Sequence, residues 1–250
     1  MSLPFVSCVT PTYNRRKFLP YLLHIYGYQE YPKNKRELVI LDDSPVSNKD
    51  LIDEWLAKNP GENVNYVYKT EKIKLGRKRN MLNEIAKGDI IIAFDDDDYY
   101  PPEKIKHAVK MMNQSKVELC GSSEIYVYFT KTKEIYISGP FSTCHSTNGT
   151  VAFRRSYFKQ ESRRYDDNAD KAEEKAFFDN FLNPIFQIES LKTILCISHV
   201  NNTVDKYPMR EHMKPCKLKL KDIVKDKKLY NFYMSLADEE FTKKESTETS

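Results

Sequence analysis

The chain has 250 residues, of which 40% are hydrophobic and 12% aromatic, enough apolar content for one large domain or one domain with an appendage. Its 40 basic and 36 acidic residues leave a formal net charge of +4, too balanced for charge alone to argue for nucleic-acid binding. Only 7 glycines and as many as 17 tyrosines make it unlike a glycine-rich dinucleotide-binding enzyme.

Met1-Ser-Leu-Pro4 leads straight into a strand, Phe5 to Thr10, with no basic leader and no long apolar core. The turn Pro11-Thr-Tyr-Asn14 follows, then an amphipathic helix from about Arg15 to Tyr28. A second strand, Glu37 to Leu41, ends at Asp42-Asp43-Ser44-Pro45. The pattern predicts a helix over 49–58, a strand over 64–68 and a helix opened by Gly76 and running to about Ala86. Ile90 to Phe94 is the most hydrophobic short run of the chain and reads as a buried strand. It delivers four consecutive aspartates, Asp95 to Asp98. Pro101-Pro102-Glu103 then starts a helix to about Gln114, with proline in its favoured first turn. This alternation predicts an α/β fold with a mostly parallel, helix-covered sheet.

The second half is less regular. Alternation over 124–130 and 134–138 predicts an antiparallel hairpin. After it come a helix around Asp170 to Leu182, a strand from Thr193 to His199 and a lysine-rich helix from Lys217 to about Ala237. Thr242 to Ser250 reads as a disordered tail.

The five cysteines, Cys8, Cys120, Cys144, Cys196 and Cys216, are odd in number and never form Cys-x-x-Cys, the usage expected of reduced thiols in a cytoplasmic protein. No apolar stretch approaches the roughly 18 residues that span a bilayer. Asn148-Gly-Thr and Asn201-Asn-Thr fit the glycosylation sequon, which without a secretion signal is read as chance.

Several predicted strand ends carry polar groups on one lip of the sheet: Thr10 to Asn14, Asp42-Asp43, and Asp95 to Asp98. Four adjacent negative charges are best tolerated where a cation is held. With Gly76-Arg-Lys-Arg-Asn80 opening a helix nearby, carboxylates, arginines and a helix start form a set suited to a diphosphate. The bland alternative is a solvated acidic turn.

In these residues the chain resembles the GT-A fold, family 2-like glycosyltransferases. Val9-Thr-Pro-Thr-Tyr-Asn-Arg15 looks like that family's first strand and nucleotide-contacting loop, and Leu41-Asp-Asp-Ser44 like its base-binding strand end. Gly76 to Asn80 is similar to its Gly-x-x-x-Arg-Asn helix start, one residue tighter. Phe94-Asp-Asp-Asp-Asp98 followed by Tyr-Tyr-Pro-Pro-Glu103 looks like its metal-binding Asp-x-Asp motif. The resemblance covers roughly residues 5 to 115 well, and more loosely to about 200.

The resemblance implies a GT-A, Rossmann-like sheet with a smaller antiparallel acceptor-side region. The catalytic domain would span 1–215, divided into a nucleotide-sugar half, 1–115, and an acceptor half, 116–215; a helical appendage would occupy 216–241 and a tail 242–250. It assigns donor contacts to Pro11, Thr12, Tyr13, Asn14, Arg15, Asp43, Arg77, Arg79, Asn80, Asp95 and Asp96. Asp97, Asp95 and His199 would hold Mn2+ or Mg2+, with the register among Asp95 to Asp98 open by one residue. Glu174, beside Glu173, stands at the position of the general base, with Asp166, Asp167, Asp170 and Asp179 as rivals and an ordinary charged helix face as the plain alternative. Cys144 to Thr150, followed by Val-Ala-Phe-Arg-Arg155, would close the acceptor pocket.

The implied function is metal-dependent, inverting transfer of a sugar from a nucleoside-diphosphate sugar to a hydroxyl of a glycan or other acceptor. UDP is favoured because Asp43 suits a uracil imide, with GDP and dTDP left open. A sugar-phosphate nucleotidylyltransferase is the second enzyme class, and Pro11 to Asn14 stands where that class carries a glycine-rich basic loop. An inactive nucleotide-sugar-binding protein is the third. The lysine-rich helix, with Leu220, Ile223, Val224 and Tyr230, either packs on the domain or lies on an acidic membrane.

Overall fold

The computed structural model describes residues 2–160 and 162–247, the side chains of 238–247 excepted. Its strands are β1 (Val6–Thr12), β2 (Arg36–Asp42), β3 (Val64–Tyr68), β4 (Ile90–Ala93), β5 (Leu119–Gly121), β6 (Ile125–Phe129), β7 (Glu134–Ser138), β8 (Ala152–Arg154), β9 (Phe186–Gln187), β10 (Leu195–Ser198) and β11 (Lys214–Cys216). The helices are α1 (Leu19–Gly27), α2 (Lys49–Lys58), α3 (Leu75–Ile85), α4 (Lys104–Ser115), α5 (Arg155–Phe158), α6 (Glu174–Phe177), α7 (Leu220–Ile223) and α8 (Lys227–Thr247).

The larger sheet runs β3-β2-β1-β4-β8-β5-β9, and its first four strands are parallel. β1, β2 and β4 are buried along their whole length, as befits strands covered on both faces. Their side chains alternate between two apolar layers. Val6, Cys8, Leu38, Ile40, Ile90 and Ile92 face one with α1 and α4; Val9, Val39, Leu41 and Ile91 face the other with Leu82 of α3. β8 enters antiparallel beside β4, which closes the parallel portion.

The predicted hairpin is present as β6 and β7, paired antiparallel, and it seeds a smaller sheet in the order β10-β6-β7-β11. β10 joins that sheet parallel to β6, so the sheet is mixed. Backbone hydrogen bonds in both directions between Tyr99 and Leu195, 3.1 and 2.9 Å, tie it to the segment after the aspartates. That bridge leaves a cleft between the two sheets.

Two predicted helices are broken. The one expected over 170–182 shortens to α6 and a single 3-10 turn, Asp179–Phe181, because Ala172, Asp179, Asn180 and Phe181 adopt positive φ between 51° and 59°. Phe177 and Phe178 turn into the core there. The one expected over 217–237 divides at Val224, which is extended; α8 restarts where Asp226 Oδ1 accepts the Leu229 N–H at 3.0 Å. Leu220, Val224, Leu229, Phe232 and Tyr233 are buried in the main core, and Ile223 and Tyr230 pack against it. The apolar residues that a membrane would need therefore cover the body of the protein. Of the tail expected to be disordered, residues 248–250 lie outside the described residues, and α8 takes in 242–247. Among the described residues no helix is long and apolar enough to cross a membrane.

Candidate active site

The ends of β1 and β4 lie side by side, which brings Thr12 and the four aspartates together. Thr10 Oγ1 donates to the Phe94 carbonyl at 2.6 Å and Thr12 Oγ1 to Asp96 Oδ2 at 2.5 Å. Tyr100 accepts, with its hydroxyl oxygen 2.6 Å away, the N–H of Asp95. Arg15 lies 3.6 Å from Asp96 and 3.4 Å from Asp97. Burial and the neighbouring Asp97 charge push the Asp96 carboxyl well above the ordinary carboxylate range. Burial also works against the Asp97 carboxylate, but the His199 hydrogen bond and charge, with Arg15 and Lys206, hold it below that range. Asp98 accepts the Ile197 N–H at 2.8 Å and is pushed up to about 7 by burial and by Asp97.

α3 brings the basic groups. A Cβ on Gly76 would sit 1.8 Å from the Asp166 carbonyl, so only glycine lets the start of α3 lie against the loop that carries Glu173. One turn on, Arg79 bridges the two sides, with Nε 2.8 Å from Glu173 and Nη1 3.0 Å from Asp95. Burial disfavours its cation, yet Asp95 and Glu173 hold the guanidinium above its ordinary value. Asn80 donates to the Tyr165 carbonyl at 2.8 Å and to Asp167 at 2.7 Å, a brace for that loop. Arg77, expected at the donor, is exposed and does not line the cleft. Lys78 does, at 4% exposure; its ammonium pairs with Asp43 and donates to the Thr12 carbonyl at 3.1 Å. Burial pushes its pKa down against the pull of Asp43. Asp43 also accepts the Ile73 N–H at 2.7 Å, so both its oxygens are engaged.

A cleft of about 810 Å³ joins these groups to the second half of the chain. Pro11, Thr12, Tyr13, Asn14 and Arg15 form one end, Asp95 to Asp98 the floor, and Glu173 and Glu174 one side. The two glutamates differ in kind. Glu173 is buried on Arg79, whereas the half-buried Glu174 carboxylate meets its own backbone N–H and forms no ion pair with another described side chain. Burial and the Glu173 charge raise the Glu174 pKa above its ordinary value. Asp170 pairs with Lys74 at the cleft's edge, Asp166 caps its own turn through Asn168 N–H at 2.9 Å, and Asp179 lies 3.1 Å from Arg163, so each rival carboxylate has another partner.

His199 follows β10 and reaches the aspartates: Nε2 lies 3.2 Å from Asp97 Oδ2, with the ring stacked on Phe18 at 4.9 Å. The Asn201 N–H donates to Nδ1 at 3.2 Å, and Asn202 Nδ2 lies 3.1 Å from Nε2. Asn202 Nδ2 adds a third contact to the cluster, 3.1 Å from Asp97. Lys206 is a cleft-lining group that sequence reasoning missed. Burial works against its ammonium, but Cys196 and the carboxylates of Asp98, Asp97 and Asp95 together keep it above the ordinary lysine value.

Asp95 Oδ2 and Asp97 Oδ1 accept no hydrogen bond from any described residue. Such hard oxygens suit Mg2+ or Mn2+, which take one or two carboxylates and complete their shell with phosphate oxygens and water. Among the described residues no three His, Cys, Asp or Glu side chains converge into a metal cage.

The model of glycosyl transferase family 2 matches residues 7–179. A poly(ribitol-phosphate) β-N-acetylglucosaminyltransferase, TarS of Staphylococcus aureus, is 29% identical over 108 residues, 43% of this chain and 19% of that protein. The crystal structure of its residues 1–349 with UDP-GlcNAc superimposes with a TM-score of 0.62 at 20% identity, covering 79% of this chain and 60% of that one. A Pyrobaculum calidifontis mannosyltransferase in complex with GDP-Man and Mn2+ gives 0.65 at 16% identity, covering 81% and 59%. Both likenesses bear on the fold. The chain thus spans about a fifth of the TarS sequence that it matches.

Proposed function

The chain belongs to glycosyl transferase family 2, and from that premise we propose that it moves a sugar from a nucleoside-diphosphate sugar to an acceptor hydroxyl with inversion at the anomeric carbon. Glu174 carries the reading: it is a carboxylate of raised pKa, not tied to any basic side chain as Glu173 is, in the same cleft as the aspartates. As base it takes the acceptor O–H proton while that oxygen forms a bond to the anomeric carbon and the bond from that carbon to the diphosphate oxygen breaks. Attack from the opposite face gives inversion, and the nucleoside diphosphate leaves.

Asp95 and Asp97 would hold the divalent cation, which supplies charge neutralisation for the departing diphosphate. Arg15, beside Asp96 and Asp97, and Lys206, in the cleft lining, bring positive charge to that end of the cleft. Arg79, locked between Asp95 and Glu173, holds the metal side and the base side in register. His199 Nε2 lies 3.2 Å from Asp97 Oδ2, so as a metal ligand it would exchange that contact for the cation. For Asp43 to read a nucleobase, Lys78 must release one of its oxygens. UDP remains the favoured nucleotide; the neighbours in complex with UDP-GlcNAc and GDP-Man mark both donors for assay.

Glu174→Gln tests the reading through nucleoside-diphosphate release from UDP-GlcNAc and GDP-mannose with Mn2+. Removal of a general base should lower kcat by about 10²–10⁴-fold, with donor affinity unchanged. Transfer at the wild-type rate would remove Glu174 from the chemistry.

A further inference from the structure

The wall that follows β7 carries an aromatic platform to which the proposed mechanism gives no task. Phe141 is 59% exposed, although it lines the cleft. Its ring packs on His145 at a centroid distance of 4.8 Å, and His145 in turn stacks on Phe181 at 5.1 Å with 27° between the planes. Phe181 lies in the 3-10 turn just after α6, whose first residue is Glu174, so the platform is braced by the segment that carries the base.

His145 also lines the cleft, and its Nδ1 is buried without a hydrogen-bond partner. No described residue bonds to Nε2 either. The buried Nδ1 is closed to a ligand, so Nε2 is the nitrogen that an occupant of the cleft can meet. Burial holds the imidazole pKa below its ordinary value, so near neutral pH the ring is uncharged, with one donor and one acceptor nitrogen. Ser138, Thr147 and Asn148 add polar groups to the same lining.

From the exposed Phe141 ring and the unmet His145 imidazole together we propose an acceptor subsite for a saccharide ring, its C–H face stacked on Phe141 and one hydroxyl hydrogen-bonded to His145. This deepens the transferase reading, on which it rests: the acceptor would be a carbohydrate, seated so that another hydroxyl meets Glu174. A sugar offers the two surfaces required, an apolar ring face and a hydroxyl rim. A purely apolar occupant would leave the imidazole unmet, and a small polar one would leave Phe141 in water.

Saturation-transfer NMR on the full chain tests this directly, with the methyl glycosides of glucose, mannose and N-acetylglucosamine as probes. The expected result is saturation of ring protons of at least one glycoside by the wild type. Phe141→Ala should weaken that glycoside roughly tenfold, the scale of one aromatic contact, and Phe141→Trp should restore it. Calorimetric titration of UDP with Mn2+ should be the same for all three proteins. The proposal is overturned if no glycoside is saturated by the wild type, or if Phe141→Ala leaves the saturation unaltered. If the glycoside effect follows Phe141 while no nucleotide binds, the subsite stands and the transferase reading fails.

Discussion

At the scale of single residues, the cleft sets apart two carboxylates that are neighbours in sequence. Glu173 is spent on Arg79, and Glu174 is left to titrate in a partly desolvated place. A base must be ionised to act, so the rate should rise with pH through the Glu174 pKa, which lies above the ordinary glutamate value. A kcat profile at saturating donor should therefore show an acid limb displaced upward, and Glu174→Gln should abolish that limb. Arg79 makes a second residue-scale case. Its removal strands Asp95 and Glu173, two largely buried carboxylates that lose their shared cation. Arg79→Met should cost about 3–5 kcal/mol in urea unfolding, as one-sided breakage of a buried pair does, whereas exposed Arg77→Met should leave stability within about 0.5 kcal/mol. Equal effects at the two positions would refute the bridging role.

At the scale of elements, α8 is held by its apolar face and not by its lysines. Leu229 is 0% exposed and sits in the main core; Leu229→Ala should lower stability by about 2–5 kcal/mol, while Lys227→Ala, at the surface of α8, should be near neutral in the same denaturation series. The strands and helices of the first half were legible because each obeys one period: β4 is a pure apolar run and α2 falls on 49–58 as patterned, although α4 begins at Lys104, so the prolines expected in its first turn precede it. α6 was not legible. Its boundaries are set by positive-φ residues, Ala172 and Asp179 to Phe181, none of them glycine, and by the burial of Phe177 and Phe178, none of which leaves a periodic signal. The break before α8 had a sign, Asp226 three residues ahead of Leu229, masked by lysines on both sides. Site residues divide the same way. The aspartates announce themselves by adjacency. Which of Arg77, Lys78 and Arg79 points inward depends on the phase of α3, and that is fixed by the contact of Gly76 with Asp166, distant in sequence. Lys206 and Asn202 reach the aspartates only because β10 joins the smaller sheet parallel to β6, a pairing with no local pattern to betray it.

At the scale of the whole molecule, two sheets bridged at Tyr99 and Leu195 leave between them a cleft with a cationic and carboxylate end, Glu174 on one side and an aromatic wall. The larger sheet supplies the aspartates and the Pro11–Arg15 segment from the ends of β4 and β1, and the chain returns through β8 and β10 to close the other side. This division predicts that the donor end works alone: a nucleotide should bind with no acceptor present, provided that a divalent cation can bridge the diphosphate to Asp97. Calorimetric titration of UDP, GDP and dTDP, each with Mn2+ and with EDTA, into the wild type and Asp97→Ala measures this directly. The account predicts that one nucleotide binds the wild type with Mn2+, and that EDTA or Asp97→Ala each abolishes the heat. Nucleotide binding that survives both, or no binding of any nucleotide with the metal present, would contradict it.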